Sequence, residues 1–569
     1  MKKIRFITLS LFVLLFIIVA HSQELSNVSE MRDYIAHYQA DNGALSRKYT
    51  IDESDEYFNR FATHYDDWLK KLKTIPFESF GQQGKVDYIL LRNTIEEEQS
   101  DLQQAKKEYE EIKGSLKFSD KVMALVQQRR RGKVLNAELT ATAFNDLKKE
   151  VKANQTELEK LPKYSERQSA RAVEAVSGYR KALTDLFRFY NEYDPQFSWW
   201  VGAPAVELDS ALSRYSKFLK GWKTTDPARN DGSGIIGNPI GRDELIKHLS
   251  FEMIPYSPEE LIAIGNKEFA WCEKEMLKAA NEMGFGNDWK AALEKVKNDH
   301  VEPGRQPELV AFLAEEAITY MESNDLVTVP ELAKESWRMT MMSPEQQRFA
   351  PFFLGGEVVQ IAFPTSTMQQ EDKMMSIRGN NKHFSRATVF HELIPGHHLQ
   401  QFMMQRYQTQ RQLFRTPFWM EGWALYWEMI LWDKNFQKSP ENRVGMLFWR
   451  MHRCARIIFS LNYHLGKWTP QQCIDLLVDK VGHERANAAA EVRRSFTGNY
   501  GPLYQLAYMM GAKQFYALRE ELVTSGKMKE KEFHDAILEN NSMPVEMVRA
   551  LLTRQTLTRD FKTTWKFKY

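Results

Sequence analysis

The stretch Thr388-Val-Phe-His391-Glu392-Leu-Ile-Pro395-Gly396-His397-His398-Leu-Gln400 decides how the rest of the chain is read. In an H-E-x-x-H motif, two His one helical turn apart bind zinc from one face, and the Glu between them takes a proton from water. Here Pro395 stands where the second His belongs. Proline cannot donate a backbone N–H to residue 391, and Gly396 tolerates dihedrals closed to other residues. The helix is therefore expected to widen or break at 395–396 and to return His397 toward His391 from a looser turn. His398 is the rival. At i+7 it shares a face with His391 on an unbroken helix, but it would lie about 10 Å further along the axis. Zinc bonds run near 2 Å, so either choice needs a distorted helix. His397 is the better candidate for second ligand and His398 the alternative.

A zinc hydrolase needs a third protein ligand. The next acidic candidate is Glu421 in Phe418-Trp-Met-Glu421-Gly-Trp-Ala-Leu-Tyr426-Trp-Glu428. It lies 24 residues after His397, room for a turn and a second helix alongside the first. Glu428 is seven residues on and shares its face, so it can hydrogen-bond a ligating His from behind.

Outward from these motifs the pattern is helical. Gly at 28 and Pro at 20 of 569 residues fall below the usual shares of about 7% and 5%. From Val86 to Ile112 apolar residues recur at intervals of three and four, with Glu and Lys on the other face, an amphipathic helix. Ser257-Pro258-Glu259-Glu260 reads as a helix start, with Ser at the cap, Pro at the first position and Glu three residues after the cap. Val327–Val329, Trp337–Met342 and Val358–Phe363 are short β-prone runs. The expected fold is mainly α, with a small β-sheet next to the active-site helices. A breaker-rich stretch at 227–243 divides an N-terminal helical region, 23–226, from a catalytic region, 244–569.

Charge and termini narrow the class further. With 77 Lys+Arg against 75 Asp+Glu, bulk charge does not favour nucleic acid. Lys2, Lys3 and Arg5 precede an apolar run from Phe6 to Ala20 and a small-x-small site ending at Ser22. This is the pattern of a cleaved signal peptide over 1–22, and the run is short of the roughly 20 residues of a spanning helix. The expectation is an exported, periplasmic protein with no stable membrane anchor after cleavage. Cys272, Cys454 and Cys473 are too widely spaced for a thiolate zinc site. They read as buried small apolar residues.

HELIPGHHLQ followed by EGWALYWE resembles a bacterial family of uncharacterised proteins marked by HExxPGHH and EGWALYxE. That family is placed among gluzincin metallopeptidases, distantly similar to the helical peptidases of the angiotensin-converting-enzyme, thimet-oligopeptidase and Taq-carboxypeptidase types. The resemblance spans roughly Tyr256 to Glu520. It implies His391, His397 and Glu421 as ligands of Zn2+ and Glu392 as general base. Arg456, His464 and Trp468 fit the family's Arg-x7-Leu-His-x3-Trp stretch, although Ser460 replaces an expected acid and Tyr463 the Leu. Pro502-Leu-Tyr-Gln-Leu-Ala-Tyr508-Met-Met-Gly511 keeps the Pro, Tyr and Gly of another family element.

Hydrolysis of a peptide carbonyl creates an oxyanion that an O–H or N–H donor must meet. Tyr508 and His464 are the candidates. Arg494 and Arg378 are candidates for binding a peptide carboxylate, and the strand at 358–363 for pairing with an extended peptide if it edges the cleft. These features point to a zinc metallopeptidase acting on short peptides. A zinc hydrolase of another amide, ester or cell-wall peptide stays open as an alternative, as does a non-catalytic peptide-binding protein on a peptidase scaffold.

Overall fold

A computed structural model describes residues 28–224, 231–349, 352, 355–498 and 500–567. The expected signal peptide at 1–22 and the first residues of the stretch at 227–243 lie outside them. The chain divides into two compact units. One comprises Ala36–Ile75 and Arg92–Pro227, the other Met1–Ile35, Pro76–Leu91 and Ala228–Tyr569.

The fold is predominantly α. In the first unit the helices Asp55–Thr74, Ala137–Leu158, Glu166–Tyr190 and Pro195–Gly221 begin at caps written in the sequence. The Ser54 hydroxyl accepts from the Tyr57 N–H, Ser165 forms a capping box with Gln168, and Asp194 precedes a Pro at the first helical position. Phe58, Phe61, Tyr65, Trp68 and Leu72 form one buried stripe at helical spacing. The amphipathic helix read at 86–112 is observed as Gln82–Ile112.

The second unit holds the motifs. Helix α1 (Pro258–Glu282) starts with the expected capping box, Ser257 against Glu260. Strands β1 (Arg338–Met341) and β2 (Val358–Ile361) form a two-stranded parallel sheet with Arg338 opposite Val358 and Met341 opposite Ile361. Val327–Val329 is not a strand. The Thr328 N–H and hydroxyl both donate to the Asp535 carboxylate, at 2.8 and 2.7 Å, so a side chain meets the backbone group that a ladder would have used. Val359 and Ile361 alternate inward and pack, with Phe363, on Val389 and Leu393. This apolar contact lays the sheet against α2 (Lys382–Glu392), the helix that carries His391 and Glu392.

After α2 come α3 (His397–Met404), α4 (Pro417–Asp433), α5 (Pro440–His464), α6 (Arg485–Thr497) and α7 (Tyr504–Arg519). From Val444 to His464 nearly every residue of α5 is buried. Glu268 of α1 accepts from Lys513 of α7 at 2.6 Å and from Arg450 of α5 at 3.1 Å. A buried carboxylate with two cationic partners avoids the cost of an unpaired ion, and this one joins three helices. Helices α4 and α7 cross in backbone contact. A Cβ added to Gly511 would lie 2.0 Å from the Phe418 carbonyl oxygen, so only glycine allows that approach. Cys272, Cys454 and Cys473 are buried free thiols. No helix among the described residues is long and apolar enough to cross a membrane.

Candidate metal centre

Helix α2 stops at Glu392, and Leu393 leaves the helical region at φ −105°, ψ −109°. Pro395 follows Ile394 through a cis peptide. The freed groups find other partners. The Gly396 N–H donates to the Phe390 carbonyl at 3.0 Å, the His398 N–H to Leu393 at 3.0 Å, and the Trp423 indole to the Pro395 carbonyl at 2.9 Å. A Cβ at residue 396 would meet the His391 carbonyl oxygen at 1.8 Å, so the turn requires glycine. The next helix begins at His397.

This break turns His397 back onto His391. Their ring centres lie 4.9 Å apart with the planes at 87°. His398 faces elsewhere, its Nε2 2.7 Å from the Ala333 carbonyl oxygen. Glu421, in the second turn of α4, reaches both rings: its Oε2 is 3.2 Å from His397 Nε2 and 3.8 Å from His391 Nε2. One donor atom from each of the three residues lies within 4.8 Å of the others. Donors around a tetrahedral zinc with bonds near 2.1 Å stand about 3.4 Å apart. Two imidazoles and a carboxylate at these separations suit that ion.

Behind His391, Nδ1 lies 2.7 Å from Glu428 Oε1. A carboxylate on Nδ1 orients the ring and leaves Nε2 facing Glu421. Burial alone would push the His391 pKa down, but hydrogen bonds to Glu421 and Glu428 carry it up to about 9. Burial works equally against ionised Glu421, yet His397 and His391 hold its carboxyl well below the usual range.

His391, His397 and Glu421 line a cleft of about 290 Å³, with Glu392 on its wall. From α7, the Tyr504 hydroxyl donates to Glu421 Oε1 at 2.5 Å. The Tyr508 ring stacks near His391, centres 6.4 Å apart. Among the described residues its hydroxyl has only a long contact, 3.4 Å, to the Tyr504 hydroxyl. Burial, reinforced by Glu421, pushes the Tyr508 pKa up to about 12, against the pull of Arg456 and Arg453. Tyr508 is therefore a neutral O–H whose proton is not committed to a strong acceptor.

Other candidates fall elsewhere. His464 is not brought to the cleft. It ends α5, eight residues and about 12 Å beyond Arg456, with its ring near Tyr463 and Phe496. Arg378 is held by Glu294 and Glu484 outside the cleft, whereas Arg494 lines it. Strand β2 does not line the cleft either. Gly355, two residues before Glu357, does so, and the Gly356 N–H donates to the Glu392 carbonyl at 3.2 Å. The sequence reading overlooked Tyr504, Arg453 and Glu491. A helical signal existed for two of them, since Tyr504 is four residues before Tyr508 and Arg453 three before Arg456.

A family model described as bacterial protein of unknown function, DUF885, matches residues 38–552. The chain belongs to this family. The DUF885 match reaches well beyond the span from Tyr256 to Glu520 that the motifs alone had suggested. Among solved structures, a candidate lipoprotein of unknown function from Shewanella oneidensis is similar over 92% of this chain and 100% of its own, at 17% identity and TM-score 0.69. A second candidate lipoprotein, from Colwellia psychrerythraea, is similar over 74% of this chain and 76% of its own, at 18% identity and TM-score 0.50. At these identities the likeness concerns the fold of the DUF885 chain. No curated protein matches it.

Proposed function

We propose that the chain is an exported zinc metallopeptidase that hydrolyses short peptides. The observation that carries this reading is the convergence of His391, His397 and Glu421 within 4.8 Å at the wall of a cleft that also presents Glu392. When bound, zinc supplies Lewis acidity that polarises a carbonyl and makes water a nucleophile at neutral pH.

The protein groups do the rest. Glu428 fixes His391 through Nδ1, and Tyr504 fixes Glu421 through Oε1, so two of the proposed ligands are oriented before any ion arrives. Glu392 takes the proton of the attacking water at its carboxylate and passes it to the leaving nitrogen. The Tyr508 O–H meets the developing oxyanion. A cleft of about 290 Å³ lies at the small end of ligand-site volumes, which favours short peptides over folded chains. Export is supported by the N-terminal signal pattern and by the lipoprotein descriptions of the two structural neighbours.

The test is metal analysis of purified full-length protein together with hydrolysis of a short-peptide library. About one zinc per chain and zinc-dependent cleavage support the reading. Protein that holds no zinc after incubation with the ion and dialysis, and cleaves nothing, refutes it.

A further inference from the structure

Three arginines, Arg453 and Arg456 of α5 and Arg494 of α6, line the cleft together with Glu491, a carboxylate outside the triad and distinct from Glu392. Glu491 is already shared. Its Oε1 accepts from Arg456 Nε at 2.7 Å, and its Oε2 lies 2.9 Å from Arg494 Nε. Arg453 has no share in it. Only 6% of Arg453 is exposed, its Nε is buried without a partner, and among the described residues no carboxylate lies within ion-pair distance. Its neighbours are the faces of Tyr508, at 4.6 Å, and Trp449, at 5.4 Å. Arg456 NH1 is likewise buried without a partner. The carboxylates of Glu428 and Glu421 act on Arg453 only from beyond ion-pair distance. Burying a guanidinium without a paired anion is costly, and the cost is recovered when a ligand brings the counter-charge.

The geometry points to a carboxylate subsite: Arg453, with Arg456 beside it, receives the C-terminal carboxylate of the substrate, so the peptidase trims peptides from that end. This rests on the peptidase reading and adds the substrate class to it. Spacing agrees with chemistry. The Arg453 and Arg456 guanidinium carbons lie 4.6 and 4.5 Å from the Tyr508 ring centre, and that ring stacks near His391 at 6.4 Å. A peptide advances about 3.3–3.6 Å per residue. A carboxylate held there belongs one or two residues beyond a bond positioned at His391. An Asp or Glu side chain could bring the same group, and the test separates the two sources.

The probe is N-acetyl-trialanine as the free acid, as its C-terminal amide, and as an amide with one alanine replaced by glutamate. Binding is measured by calorimetry to full-length Glu392→Gln protein, which does not consume the peptide. The acid is expected to bind about tenfold or more tighter than the plain amide. The Arg453→Gln change, added to that protein, brings the ratio to about one, and Arg453→Lys keeps part of it. A role limited to supporting the fold would weaken acid and amide alike and leave the ratio. Equal binding of acid and plain amide overturns the subsite, as does a ratio untouched by Arg453→Gln. Tight binding of the glutamate amide alone overturns C-terminal recognition and assigns the subsite to acidic side chains.

The parent enzyme separates this inference from the reading beneath it. Release of one or two C-terminal residues, read by mass spectrometry, supports both. Equal cleavage of acid and amide overturns the subsite and leaves the peptidase. An acid preference in binding without any cleavage leaves the subsite and overturns the peptidase.

Discussion

Glu428 Oε1 lies 2.7 Å from His391 Nδ1, with both side chains buried. The contact joins the fourth turn of α4 to the last turn of α2 and fixes which imidazole nitrogen faces Glu421. Replacing Glu428 with Gln keeps a hydrogen-bonding group but removes the charge that raises ligand basicity. Zinc affinity is expected to fall about 10- to 100-fold, read by competition with a chromophoric chelator. Unchanged affinity would show that His391 is oriented without its carboxylate.

Glu392 stands in the cleft outside the ligand triad. Glu392→Gln should retain stoichiometric metal and lose on the order of 10²–10⁴-fold in kcat. The informative measurement pairs metal content with turnover on the same sample. Full activity in this variant would remove Glu392 as the base.

Of the two tyrosine hydroxyls of α7 at the site, that of Tyr504 is donated to Glu421 and that of Tyr508 has only a long contact to Tyr504 among the described residues. Tyr508→Phe should lower kcat on the order of 10²–10³-fold and leave zinc content unchanged. The matching change Tyr504→Phe removes the donor to Glu421 and is expected to show in metal affinity first. If the two variants exchange these phenotypes, the assignment of the oxyanion donor is reversed.

Acid stability follows from two buried histidines. Burial pushes His534 down to about 4, and His483 down to about 3. In the unfolded chain both titrate near 6.5. The unfolded state therefore binds more protons below 6.5, so stability is intact above that pH and declines as pH falls toward 4. Each histidine can cost on the order of 3 kcal/mol at the low end. Thermal melts of the full-length protein should show a falling Tm from pH 6.5 to 4. A flat profile over that range contradicts neutral burial of both rings.

Gly511 is the steric pivot between α7 and α4. Gly511→Val places a branched side chain where a Cβ alone would sit 2.0 Å from the Phe418 carbonyl oxygen. Forcing these helices apart should cost about 3 kcal/mol and displace Tyr504 from Glu421. Melting temperature and zinc affinity should fall together. A loss of stability with normal zinc binding would mean that the crossing does not set the site.

Local chemistry was readable from the chain before any folding. The caps at Ser54, Ser165 and Ser257, the stripe from Phe58 to Leu72 and the break at Pro395 depend on residues within a turn or two of each other. Such signals survive in sequence because backbone sterics and nearby hydrogen bonds produce them. The β-prone run at Val327–Val329 misled for the same reason. Its composition suits a strand, but Asp535, two hundred residues away, satisfies its backbone.

Packing settled the rest. Whether His397 or His398 meets His391 turns on how the chain folds back at Gly396, which positions along a straight helix do not express. His464 looked equal to Tyr508 in sequence, yet the length of α5 carries it away from the cleft. The surplus of positive charge at Arg453 is invisible in a chain with balanced totals. It exists because Glu491 is already shared by Arg494, one turn along α6, and by Arg456, which the meeting of α5 and α6 brings to it. Side chains distant in sequence acquire their partners from helix crossings, and a crossing such as that at Gly422 and Gly511 is fixed by steric fit across the interface rather than by anything periodic along either strand of sequence.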